Sequence, residues 1–154
     1  MTDLCSDVLK RLKGKTLVTA ESITGGGIGA ALTAVPGASA VYRGGIISYC
    51  DDVKHALLGV PREVLEQFGA VSRPTALAMA MGAREKLQAD AAIAVTGLAG
   101  PGGDDFGNPV GTVFIAFADG NGANVRECRI SGSRDAIRNQ TVRIALELVL
   151  EMMK

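Results

Sequence analysis

The stretch TLVTAESITGGGIGAAL, Thr16–Leu32, changes character twice. TLVT is β-branched and apolar and reads as a strand ending near Glu21 and Ser22. From Gly27 the chain turns to Ala and Leu, reads as a helix to about Val35, and stops at Pro36-Gly37. Strand, glycine turn and helix form the repeating unit of an α/β sheet, which puts Ser22 at the carboxyl edge where such folds bind ligands. The Thr24-Gly25-Gly26-Gly27 turn would leave backbone N–H groups free for an oxyanion or a phosphate. The bland alternative is that the glycines serve close packing of helix on sheet and that Ser22 is a helix cap.

Working outward, Leu4, Val8 and Leu12 recur among charges and predict an amphipathic helix over Asp3 to Lys13. VYRGGIISY, Val41 to Tyr49, reads as a strand whose glycines mark a bulge or a close approach, and the helical DDVKHALLG follows. Pro61 opens REVLEQF as a short helix that Gly69 ends, and Ser72 sits at the start of a longer helix over TALAMAMGAREKLQ. AAIAV, Ala91 to Val95, is continuously apolar, as a central strand covered on both faces must be. The Gly- and Pro-rich segment Thr96 to Pro109 predicts a loop, and loops of that length usually carry function. Val110 to Ala118 and Asn124 to Ile130 predict a hairpin, and Ser133 to Met153 a closing helix. The order predicts one domain over residues 1–154, a three-layer α/β/α fold with a mixed sheet.

The totals exclude several classes. Lys plus Arg and Asp plus Glu both number 16, so no basic field favours nucleic acid or acidic lipid. No apolar run approaches the roughly 18 residues of a membrane span, and the charged first residues lack a signal-peptide core, which fits a cytoplasmic protein. Cys5, Cys50 and Cys128 are widely spaced and His55 is the single histidine, so no zinc site of the usual kind is expected and no cofactor is required. The missing GK[ST] argues against a Walker A loop, whereas Gly25, Gly27 and Ala30 with Asp51 or Asp52 match a dinucleotide-binding GxGxxA pattern weakly.

If Ser22 is a nucleophile it needs a base, and Lys54 and His55 are the candidates. Adjacent helix residues point about 100° apart, so both are not expected to face one site, and the pattern alone does not choose. A lysine base must fall from about 10.4 to about 7, roughly 4 kcal/mol of ammonium destabilisation, which demands apolar cover or a nearby cation. Tyr49 stands before that helix, where it could relay a proton or stack on a ring. Thr96 and Gly97 open the loop leaving the central strand and offer a second wall. Arg134 and Arg138 lie four apart on the last helix and can meet an anion or form structural pairs.

AESITGGGIGAAL (20–32), GGIISYCDDVKHALLGV (44–60), FGAVS (68–72), AVTGLAGPGG (94–103) with NPVGTV (108–113), and GSRDAIRNQTV (132–142) together resemble the CinA C-terminal domain family. The blocks keep their order across nearly the whole chain. The resemblance implies an amidohydrolase that deamidates nicotinamide mononucleotide to nicotinate mononucleotide and ammonia in pyridine nucleotide recycling. It implies Ser22 as nucleophile and Lys54 as base, Tyr49 and Thr96 near the substrate and the proton relay, and Arg138 with Arg134 as anion or active-site support. Substrate contacts are expected from Thr24, Gly25, Gly26, Thr96, Gly97, Arg134 and Arg138. The chain resembles the stand-alone form, and a homodimer is expected. It departs from the family at Ile23, usually cysteine, and at Tyr49-Cys50-Asp51-Asp52, usually YSNE-like; Asp51 could oppose a lowered lysine pKa. The alternatives are a pyridine-nucleotide-sensing domain without turnover and a Rossmann-type oxidoreductase.

Overall fold

A computed structural model describes residues Met1–Lys154. The elements are α1 (Thr2–Arg11), β1 (Leu17–Glu21), α2 (Gly27–Thr33), β2 (Tyr42–Ile47), α3 (Asp51–Leu58), α4 (Arg62–Phe68), α5 (Arg73–Lys86), β3 (Ala91–Gly97), β4 (Thr112–Asp119), β5 (Gly122–Arg129) and α6 (Arg134–Met152). The five strands form one sheet in the order β2-β1-β3-β4-β5. β1 runs parallel to both β2 and β3, while β4 is antiparallel to β3 and to β5. The sheet is therefore mixed, with the apolar β3 at its centre, as its composition requires.

Period-two alternation sorts the strand side chains between two cores. Leu17, Ile93, Val95, Ile115 and Phe117 face α1, α2 and α6. Val18, Ala20, Ala92, Ala94 and Ala116 face the opposite side, against Ala76, Met79, Ala80 and Ala83 of α5. That second face is built from small residues, so α5 can lie close to the sheet. Gly82 takes the closeness furthest, since a Cβ there would collide with the Leu58 carbonyl at the end of α3. No helix is long and apolar enough to cross a membrane.

Two boundaries differ from expectation for local reasons. β2 stops at Ile47, and Ser48, Tyr49 and Cys50 leave the sheet to become the approach to α3. β4 starts at Thr112, because Gly111 adopts φ +92° and a Cβ there would run into the Ile130 carbonyl. Ser72 caps α5 as expected, its Oγ accepting from the Thr75 N–H at 3.3 Å. Chain paths leave β1 through α2 on one face and return to β3 through α5 on the other. The carboxyl ends of β1 and β3 thus open on a crevice, the position where doubly wound sheets bind ligands.

Candidate active site

The chain turns sharply after β1, and the glycines explain how. Gly25 (φ +58°) and Gly26 (φ +101°) occupy the left-handed region, where a side chain would be strained. Gly27 is instead a packing glycine, since a Cβ would lie 3.1 Å from Val142 of α6. The turn thus combines left-handed glycines at 25 and 26 with a packing glycine at 27, set against helix α6 rather than the sheet.

Glu21 fixes the turn from within. Its carboxylate is 2% exposed, and Oε1 accepts from the Thr24 hydroxyl at 2.6 Å and the Ile28 N–H at 2.8 Å. Oε2 accepts from the Gly29 N–H at 3.0 Å. A carboxylate at the end of a strand thereby caps the following helix, where Gly26 has no side chain to do so. This role was missed in the sequence. The available signal was an acidic residue directly before a helix whose cap is glycine.

The same contacts correct the dinucleotide reading. A pyrophosphate would need the free N–H groups at the start of α2, and Glu21 already holds those of Ile28 and Gly29. Other donors of the turn are also taken: Gly25 N–H donates to the Ser22 carbonyl at 3.1 Å and Gly27 N–H to the Thr24 carbonyl at 3.0 Å. The N–H groups of Ile23, Thr24 and Gly26 have no protein acceptor. Any oxyanion donor in this turn comes from that set rather than from Gly25 or Gly27.

Ser22 Oγ stands 2.8 Å from Lys54 Nζ. Lys54 is 1% exposed, lies on α3, and also donates to the carbonyls of Ser48 at 2.7 Å and Tyr49 at 3.3 Å. Burial pushes its amine below the ordinary value of 10.5, while Asp51 and Cys50 at the start of the helix pull it back up. Asp51 thus opposes the shift from an exposed position, without the inward orientation expected to be needed. A neutral lysine has two N–H bonds and one lone pair. Here two main-chain carbonyls can take the N–H bonds, which leaves the lone pair to the Ser22 hydroxyl. His55, in contrast, bonds the Val60 carbonyl through Nδ1 at 2.8 Å, so geometry selects Lys54.

Around this pair lies a cleft of about 280 Å³, just below the usual range of about 300–1,000 Å³ for ligand sites. Ser22, Lys54, Tyr49, Thr96, Gly97 and Arg134 all line it, as does Ile23. A larger groove of about 470 Å³ beside Met81 and Asp119 contains no comparable nucleophile and base. Thr96 is 1% exposed and donates to the Ala70 carbonyl at 2.8 Å, tying β3 to the wall formed by Ala70 and Val71. Asn108 Nδ2 donates to the Val71 carbonyl at 3.1 Å from the long loop. Gly97 must stay small, because a Cβ would meet the Thr112 carbonyl at 2.8 Å.

Thr24, Gly25, Gly26 and Arg138 do not line the cleft. Arg138 reaches the back of the turn instead, with Nε donating to the Ile23 carbonyl at 3.1 Å and Nη2 to the Thr24 carbonyl at 3.3 Å. The two arginines therefore part company. Arg134 sits at the rim, where it donates to the Gly100 carbonyl and to the Tyr49 hydroxyl. Tyr49 is 64% exposed, and the atom it offers to Lys54 is its carbonyl, not its hydroxyl.

The fold and cleft define a class: a mixed-sheet α/β domain that holds a desolvated lysine against a serine at the carboxyl edge of its parallel strands. The particular family follows from comparison. The CinA C-terminal domain model matches residues 1–153, and the chain belongs to that family. A CinA-like protein of Parasynechococcus marenigrum is 51% identical over 148 residues, covering 94% of this chain and 35% of that protein. A putative competence-damage inducible protein of Acetivibrio thermocellus is 50% identical over 134 residues, covering 87% and 32%. The chain thus spans about a third of the length of the curated relatives it matches. Among solved structures, competence/damage inducible protein CihA of Agrobacterium tumefaciens superposes with a TM-score of 0.96 at 43% identity, covering 99% of this chain and 95% of that one. A CinA superfamily protein of Klebsiella pneumoniae gives 0.96 at 35% identity, covering 99% and 96%.

Proposed function

We propose that this domain is an amidohydrolase acting on nicotinamide mononucleotide through a Ser22–Lys54 acyl-enzyme. The observation that carries the reading is the 2.8 Å contact between Ser22 Oγ and a buried Lys54 amine whose pKa burial lowers. In the first step Lys54 takes the hydroxyl proton as Ser22 Oγ bonds to the carboxamide carbon. Lys54 then returns that proton to the departing nitrogen, the C–N bond breaks, and ammonia leaves a serine ester. Water attacks the ester, giving one proton to Lys54 and releasing the acid, and Lys54 reprotonates Ser22. Atoms balance as amide plus water to acid plus ammonia, and neither oxidant nor metal enters.

The cleft walls divide the recognition. Ile23, Val71 and the Tyr49 ring offer apolar cover to a planar pyridine ring. Arg134 is the one arginine lining the cleft and is exposed at its rim, where a substrate phosphate can displace its bond to the Tyr49 hydroxyl. The test is ammonia release with mass detection of the acid product, using wild type, Ser22→Ala and Lys54→Met. Turnover by wild type that drops by at least about 10³-fold in both variants is expected. A folded wild type that binds the nucleotide without releasing ammonia overturns the reading in favour of a sensing domain.

A further inference from the structure

Arg138 is not where a substrate anion would meet it, and its actual partners give it another task. A trans peptide holds its N–H antiparallel to its C=O. The Ile23–Thr24 peptide turns its carbonyl toward Arg138 Nε at 3.1 Å, so the Thr24 N–H points away from α6. The preceding peptide turns its Ser22 carbonyl to the Gly25 N–H at 3.1 Å, which sets the direction of the Ile23 N–H in the same way. Both of these N–H groups lack a protein acceptor, and they follow directly on the Ser22 side chain. Ser22 and Ile23 line the cleft whereas Thr24 and Arg138 do not, so the guanidinium supports the turn from behind and Ile23 is the free donor at the cleft.

The charge of Arg138 is also uncommitted. The ion pairs of the molecule use Arg62, Arg126, Arg129 and Arg143. A guanidinium stays protonated at any working pH, so its bond to the Ile23 carbonyl is kept throughout. We propose that Arg138 is the positioning residue of an oxyanion hole: by holding the Ile23–Thr24 peptide it fixes Ile23, whose own N–H, next to Ser22 in the cleft wall, receives the charge developing on a substrate carbonyl oxygen. The proposal rests on the reading of Ser22 as an acylated nucleophile. It replaces a role in phosphate binding for Arg138 with one in the chemical step.

The test uses Arg138→Ala and Arg138→Lys, with folding checked by thermal unfolding. Acylation of Ser22 by p-nitrophenyl acetate is followed as a burst and by intact mass, beside ammonia release from nicotinamide mononucleotide and from its phosphate-free riboside. Removing one oxyanion donor costs about 10²–10³-fold in rate; a donor retained but no longer held predicts about 10–100-fold slower acylation for Arg138→Ala. The lysine variant keeps a cation and is expected to fall in between, which also serves if the alanine variant unfolds. Added guanidinium ion at low millimolar concentration should restore part of the alanine variant's rate. Preference for mononucleotide over riboside should not change. Unaltered acylation in both variants, or collapse of that preference with KM rather than kcat affected, overturns the proposal. If wild type releases no ammonia yet is acylated in an Arg138-dependent way, the amide substrate is wrong and the oxyanion hole stands. A Ser22 that resists acylation in wild type overturns both.

Discussion

Replacing Glu21 by glutamine keeps the shape of the side chain and removes only its charge and one acceptor oxygen. Its surroundings offer donors: the Thr24 hydroxyl and the Ile28 N–H on Oε1, and the Gly29 N–H on Oε2. With the new amide nitrogen at the Oε2 position it opposes the Gly29 N–H. Flipped, it opposes the Ile28 N–H, and only the Thr24 hydroxyl can turn round to accept. Either rotamer leaves a backbone N–H without an acceptor, at about 1–3 kcal/mol. Loss of a negative charge from the start of α2 adds about 0.3–1 kcal/mol. The expected destabilisation is therefore about 1–4 kcal/mol, or a fall in Tm of about 3–16 °C for a domain of this length. Urea and thermal unfolding followed by circular dichroism read it directly. A Glu21→Gln protein within about 0.5 kcal/mol of wild type would refute the claim that this carboxylate organises the turn.

Four further outcomes are expected. The base must be neutral, so Ser22 acylation should rise with pH and level off below 10.5, since burial lowers the Lys54 pKa from that value; a pH–rate inflection at or above it would contradict the assignment. Between the lowered folded pKa and the ordinary value of 10.5 the unfolded chain binds the Lys54 proton more tightly, so this residue makes stability rise with pH through that window. Lys54→Met should abolish that rise in pH-dependent unfolding. Gly82→Ala should destabilise by about 1–3 kcal/mol because the new methyl meets the Leu58 backbone, although helix propensity alone predicts a gain of about 1 kcal/mol; a raised Tm would show that the propensity wins. Tyr49→Phe removes the hydroxyl bond to Arg134 but not the carbonyl that meets Lys54. A KM effect with kcat nearly intact is expected, whereas a kcat loss of about 100-fold would make the hydroxyl a proton relay.

Much of this architecture can be read along the chain because it is local. The β1-turn-α2 unit, the central position of Ala91–Val95 and the cap at Ser72 each follow from runs of a few neighbouring residues, although β3 runs on through Thr96 and Gly97, which were expected in the loop. Family resemblance, not periodicity, picked Lys54 over His55, and the contacts explain why periodicity was insufficient: Lys54 turns in to Ser22, whereas His55 bonds the Val60 carbonyl. Glu21 and Arg138 were harder to read because their partners are set by tertiary geometry. A glutamate reaching the N–H groups of Ile28 and Gly29, seven and eight positions on, requires the sharp turn first. The Arg138 bond to Ile23 crosses 115 positions, and in the sequence that arginine resembles Arg134 in every local respect. A strand end shifted where a single backbone atom decided it, as at Gly111 against the Ile130 carbonyl.

The Lys54 amine meets main-chain oxygens of Ser48 and Tyr49 rather than their side chains. Genetic change at those codons alters what projects from the backbone while leaving the oxygens in place, provided that the chain path into α3 is kept. The segment Tyr49-Cys50-Asp51-Asp52 can therefore drift in composition, tuning the charge at the start of α3, without dismantling the base. Selection can reshape which molecules approach the cleft far more cheaply than it can reshape the chemistry performed at its floor.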